Sequence, residues 1–103
     1  GKRPNGWATP YISKLECGVT VQFRPKGNSM VPKIKSGQLV TVRPVYLGEQ
    51  LSPGMIVLCT VKGKHYLHKI VGFDGLKAII GNNKGHINGT ASKLHGILES
   101  VAD

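Results

Sequence analysis

No apolar run in this sequence approaches the roughly 20 residues needed to span a bilayer, and the longest is broken by polar residues within a few positions. No signal-peptide pattern opens the chain. On these two absences neither a membrane-spanning helix nor a secretory leader is expected within these residues, and a cytoplasmic protein is expected. Gly1 stands where Met would begin a whole chain, which leaves a preceding segment open. Cysteine is scarce: Cys17 and Cys59 both sit in apolar segments and neither belongs to a CxxC. Two buried thiols in a reducing cytosol are expected, with one disulfide as the other option. Without partners at ligand spacing, the cysteines suggest no metal site. Acidic residues are few as well. Against 14 Lys and Arg stand 5 Asp and Glu, a net charge of +9. Such a surface attracts nucleic acid, anionic membrane or acidic protein. Because the charges are scattered rather than packed into runs, a merely solvated basic surface is the competing reading. Internal repeats and low-complexity tracts are absent.

What the sequence does hold is the material of one small folded domain. Its 103 residues are 40% hydrophobic and 18% charged, which suits a single modest core. The 14 glycines and 6 prolines argue for many turns and short strands rather than long helices. Residues 1–16 mix Pro4, Gly6, Pro10 and basic side chains with Trp7, Tyr11 and Ile12, and are predicted to form an irregular arm. Trp7 and Tyr11 beside Lys2, Arg3 and Lys14 could stack on bases, but covering the sheet is the reading favoured here. From residue 17 to 103 the text is that of a β domain. Val19, Val21 and Phe23 alternate with polar neighbours. Leu39 to Val42, Met55 to Val61, His65 to Phe73, Leu76 to Ile80 and Leu94 to Val101 supply five more strands. Gly63 and Asp74-Gly75 mark hairpin turns. Residues 81–93 are polar and glycine-rich and are predicted to be a loop. Only Ser29 to Ile34, and at most the arm, offers helix. Six short strands between turns predict a mainly β, compact coiled sheet with little helix.

Two pieces carry chemistry. In Gly27-Asn28-Ser29-Met30-Val31-Pro32, the glycine lets the backbone turn sharply, Met30 anchors the turn in the core and Pro32 stiffens the exit. Ser29 then lies exposed at an apex beside free backbone N–H groups, as a nucleophile next to an oxyanion site requires. An ordinary loop serine fits the same hexapeptide. The second piece, Tyr66-Leu67-His68-Lys69-Ile70-Val71, puts a histidine inside an apolar strand. It is either a satisfied structural residue or a base working near neutral pH. Lys69 points the opposite way along the strand, so only one of the pair can face Ser29. His65, His86 and His95 lack ligand-forming neighbours at fixed offsets, and neither a metal nor a cofactor is expected.

The order of Gly27-Asn28-Ser29-Met30-Val31-Pro32, Ser36-Gly37-Gln38-Leu39-Val40-Thr41-Val42, Gly54-Met55-Ile56-Val57-Leu58, His68-Lys69-Ile70-Val71-Gly72 and Ile80-Gly81-Asn82-Asn83 resembles the serine peptidase superfamily that includes LexA, phage repressors and signal peptidases. The resemblance covers roughly residues 20–101 and implies the small β-rich catalytic fold of that group. It implies Ser29 as nucleophile and the backbone N–H of Ser29, with that of Asn28, as the oxyanion site. Some members use a lysine base and others a histidine, and the base role falls to His68 rather than Lys69. Two departures stand out. The family's Gly-Asp-Asn block reads Gly81-Asn82-Asn83, so its aspartate is missing, and residues 84–93 hold no Asp or Glu. Asn82 is the candidate to orient the imidazole instead. Losing the carboxylate from a triad that needs it costs on the order of 10⁴ in rate, so the chain is expected to be slow, completed by a partner, or inactive. Self-cleaving repressors carry a scissile Ala-Gly or Cys-Gly bond. Cys17-Gly18 is such a dipeptide, with a strand-initiating turn as the favoured alternative. The expected function is a soluble serine peptidase or self-processing domain acting on a peptide or protein laid along a sheet edge. The alternative is an inactive peptidase fold whose basic surface binds nucleic acid or an acidic protein. The phage-repressor branch makes a viral source one option.

Overall fold

The computed structural model describes residues 6–103. Among them one helix and seven strands follow in the order α1 (Thr9–Glu16), β1 (Val21–Phe23), β2 (Leu39–Pro44), β3 (Ile56–Val61), β4 (Lys64–Asp74), β5 (Lys77–Gly81), β6 (Ile87–Thr90) and β7 (Lys93–Ala102). The strands form one antiparallel sheet in the order β1-β2-β7-β3-β4-β5-β6. The mainly β, coiled-sheet architecture is as expected. Its coiling has a local cause. The ladders shift register at Thr41/Val42, Leu58/Cys59, Ile70/Gly72 and Ile80/Gly81, and such irregularities bend a strand and strengthen its twist. The sheet curls far enough for its late strands to meet β3 again. A side chain at Gly89 of β6 would sit 3.1 Å from Val61 Cγ1 of β3.

The curl produces two cores from one sheet. Alternation along β3 sends Ile56 and Leu58 to one side, with Phe23, Met30, Ile34, Val40, Val42 and Leu67. Val57, Cys59 and Val61 go to the other, with Ile70, Ala78, Ile80 and Ile97. Hence β3 is apolar nearly throughout rather than alternating: it is covered on both faces.

Two elements differ from the reading of the sequence. The described part of the predicted irregular arm contains a two-turn helix, α1. Pro10 lies in its first turn, where a missing N–H costs nothing. Gly18 ends it at φ +83°, with Gly18 N–H donating to Leu15 O and Val19 N–H to Lys14 O, a glycine-terminated helix end. Gly18 therefore stops a helix rather than starting a strand. The helix rests on the sheet through buried Ala8 and Leu15, and Leu15 reaches into the space that Gly96 of β7 leaves open. Tyr11 stacks on Phe23 at 4.5 Å between ring centroids, and Trp7 lies tilted against the same ring at 5.6 Å. Both aromatics thus cover the sheet. Lys2 and Arg3, which were to share a base-stacking role with them, lie outside the described residues. The second difference is β6, formed inside the predicted loop 81–93. Cys17 also departs from expectation: it is exposed, while Cys59 is buried, and both are free thiols. Burial pushes the Cys59 thiol up to about 12, so it stays protonated and unreactive at neutral pH.

Candidate active site

The turn after β1 carries Ser29. Gly27 sits at φ +105° with nothing near the position of a Cβ, so backbone conformation and not crowding demands glycine there. Its N–H donates to Ser36 Oγ at 3.1 Å. Met30 is buried in the first core, and Ile34 N–H donates to Met30 O at 3.0 Å, closing one helix-like turn. A second hold comes from the other end of the sheet. Asn83 N–H donates to Ser29 O at 2.9 Å, and Asn83 Nδ2 donates to Met30 O at 3.2 Å. The serine is thus pinned by its own glycine turn on one side and by Asn83 on the other.

His68 comes from β4, opposite Val57 of β3, with the Tyr66 ring 5.0 Å away. Its Nε2 lies 3.1 Å from Ser29 Oγ, although 39 residues separate the two in sequence. On the far side of the ring, His68 Nδ1 lies 2.7 Å from Asn88 Oδ1. An amide oxygen only accepts, so Nδ1 carries the proton and Nε2 keeps its lone pair toward the serine hydroxyl. Burial holds the His68 pKa below its ordinary 6.5; the Asn88 hydrogen bond opposes this and the nearby His86 adds to it. The ring is consequently neutral at physiological pH, the state that accepts a proton. No hydrogen bond joins Lys69 to Ser29 among the described residues; the serine faces the histidine of the pair.

The expected orienting residue is corrected. Asn82 does not reach His68: its Oδ1 accepts from the N–H of Lys84 at 2.8 Å and of His86 at 3.0 Å, shaping the loop before β6. Asn88, six residues on, takes the role geometrically. It gets there because β6 lies very close to its neighbours. A Cβ at Gly81 would fall 2.8 Å from His86 O, and one at Gly89 would press on Val61. Reading the sequence missed Asn88 and Asn83 together. The available signal was the pair of glycines bracketing a polar stretch, since isolated glycines in a strand mark close backbone approach.

Among the described residues no carboxylate completes the constellation. Glu49 pairs with Arg43, Glu16 with Lys93, Asp103 accepts from Gln38, Asp74 lies exposed at the end of β4, and Glu99 lies exposed on β7. Among the described residues, the backbone N–H groups of Asn28 and Ser29 donate to no backbone acceptor. His65 and His95 form a separate group across Thr60, whose Oγ1 lies 2.9 Å from His65 Nδ1 and 2.7 Å from His95 Nε2. No set of three or more His, Cys, Asp or Glu that could hold a metal ion occurs among the described residues.

Ser29 and His68 open onto a cleft of about 430 Å³. Phe23, Met30, Ile34 and Leu67 give it an apolar floor, and Arg24 and Lys26 stand at its edge. The Cys17–Gly18 bond is tied into the helix end, not offered as the extended segment that a sheet-edge site takes.

A coiled antiparallel sheet presenting a serine and a histidine in an open cleft defines a peptidase-fold protein. The sequence model of the Peptidase S24-like family matches residues 16–95, and the chain belongs to that family. No curated protein and no solved structure matched the chain. No helix among the described residues is long and apolar enough to cross a membrane.

Proposed function

We propose that this chain is a serine peptidase, or a self-processing peptidase-like domain, working through a Ser29–His68 dyad oriented by Asn88. The observation that carries this reading is the 3.1 Å contact between Ser29 Oγ and His68 Nε2, with a neutral imidazole of the right tautomer, in an open cleft. Ser29 Oγ attacks the peptide carbonyl while His68 Nε2 takes its proton. The carbonyl oxygen gains the electron pair and is received by the N–H groups of Ser29 and Asn28. The tetrahedral species then collapses, the C–N bond breaks and His68 returns the proton to the leaving amine. Water, activated by the same nitrogen, hydrolyses the acyl-enzyme and frees Ser29. Asn88 Oδ1 holds the Nδ1–H throughout but, being neutral, gives the imidazolium less support than a carboxylate. A slow enzyme is the consequence.

The test is covalent labelling with a small fluorophosphonate followed by peptide mapping. Labelling is expected on Ser29 and is expected to vanish in Ser29→Ala. A second reading keeps the fold without the chemistry and assigns the basic surface to nucleic acid or an acidic protein. The missing carboxylate beside His68 favours it. On that reading Ser29 stays unlabelled, Ser29→Ala changes nothing, and binding falls steeply with salt as counterions are released.

A further inference from the structure

We infer that the cleft beside Ser29 selects an extended peptide carrying a large apolar side chain next to an acidic residue. This inference rests on the peptidase reading above and adds a substrate class to it. The apolar half follows from shape. Phe23, Met30, Ile34 and Leu67 line a space of about 430 Å³, walled further by Tyr11, whose ring stacks on Phe23. Alanine or glycine would leave most of that apolar surface wet, whereas leucine, methionine or phenylalanine covers it and removes it from water. The acidic half follows from charge. Arg24 and Lys26 stand on the same short segment as Ser29, at the cleft's edge. Among the described residues the ion pairs are Arg43–Glu49 and Lys93–Glu16, so neither Arg24 nor Lys26 has a carboxylate partner. Arg24 is moreover fixed in place: its Nη1 donates to Gly37 O at 2.8 Å, which leaves its other N–H groups to face a ligand. The backbone supplies the third element. β1 pairs with β2 alone and forms one edge of the sheet. It leads directly into Arg24 and the Ser29 turn, so a peptide strand added there runs past both the apolar floor and the two cations.

The experiment measures how well short peptides protect Ser29 of the whole chain from a small fluorophosphonate, which works even where turnover is slow. An octapeptide with Leu or Phe beside Glu is expected to protect at a concentration about tenfold lower than its Ala counterpart. Replacing the Glu by Lys is expected to cost a further factor of about five at low salt and almost nothing at 0.5 M salt, where surface charges are screened. The double variant Arg24→Glu, Lys26→Glu is expected to reverse the Glu-over-Lys preference, and Lys26→Glu alone to weaken it. Equal protection by all peptides, or best protection by the Ala-Lys peptide, overturns the inference while leaving labelling of Ser29 intact. Absence of labelling on Ser29 without any peptide defeats the peptidase reading itself, and this inference with it.

Discussion

Replacing Asn88 by Asp is expected to raise kcat/KM about 10²-fold, against whichever peptide the wild-type chain cleaves. Asn88 Oδ1 already lies 2.7 Å from His68 Nδ1, so an aspartate at the same place needs no rearrangement to take the same proton. What changes is charge. During acyl transfer His68 becomes an imidazolium, and a carboxylate stabilises that cation where a neutral amide merely holds it in line. In triads where an amide replaces the acid, a rate loss on the order of 10⁴ includes the penalty of a wrong tautomer. Here the amide oxygen already enforces the right tautomer, so only part of that factor remains to be recovered. The substitution leaves a second mark. A negative charge beside the ring raises the His68 pKa, so the acid limb of the pH–rate profile moves to higher pH as the rate on the plateau climbs. Asn88→Ala is expected to act oppositely on the rate, because the ring loses the hydrogen bond that holds its Nδ1 side. Steady-state kinetics over a pH series on the three proteins checks both effects. An Asn88→Asp protein with unchanged rate and unchanged acid limb removes Asn88 from the site.

The second large effect concerns stability. Gly96→Ala is expected to lower the unfolding free energy by about 3 kcal/mol, as overpacking of a dense core does, and the melting temperature by roughly 12–24 °C for a domain of this size. Gly96 lies in β7, the strand between β2 and β3. A Cβ there would fall 2.6 Å from Val42 Cγ1, 2.7 Å from Arg43 O and 3.0 Å from Leu15 Cδ1. Leu15 can adjust, but the Arg43 carbonyl is bound into the sheet and cannot yield without disturbing the β2–β7 ladder. Gly72→Ala provides the comparison. Its Cβ would meet Ile79 Cδ1 at an ordinary 4.0 Å, and its melting temperature is expected to stay within a few degrees of wild type. Thermal unfolding of both variants measures the difference.

The same glycines explain what the sequence made legible and what it did not. The period-two pattern of Val19, Val21 and Phe23, and the β-branched and apolar runs in Leu39–Val42 and Met55–Val61, report burial directly, and the corresponding strands were readable. Ser29 and His68 were readable because a glycine turn before a serine and a histidine in an apolar strand are local signals, and because the surrounding blocks resemble one superfamily. Asn88 was not. Its strand holds one exposed apolar residue, Ile87, among Asn, Gly and Thr, and it is a strand because Gly81 and Gly89 let the backbone come close to its neighbours. That is a property of the folded sheet and not of the segment. Asn82 is a candidate by its place in the Gly81-Asn82-Asn83 block, but its side chain is taken up by the N–H groups of Lys84 and His86, and Asn88 holds the contact to His68. Helix α1 was hidden for a related reason. Its N-cap, Ala8, offers no side-chain cap, and among its residues Thr9–Glu16 only Leu15 is deeply buried, so the amphipathic signal was too thin to set against two prolines and a glycine.

Whether His68 activates Ser29 is tested most directly by the pH dependence of Ser29 labelling. The second-order rate constant for a small fluorophosphonate is to be followed from pH 4 to 9 in the wild-type chain and in His68→Ala. Because burial lowers the His68 pKa below 6.5, the wild-type rate is expected to rise through a midpoint below that value and to be level across neutral pH. The His68→Ala rate is expected to lack this titration and to be about 10²-fold lower on the plateau. Equal rates with the same midpoint in both proteins would contradict the pairing on which the mechanism is built.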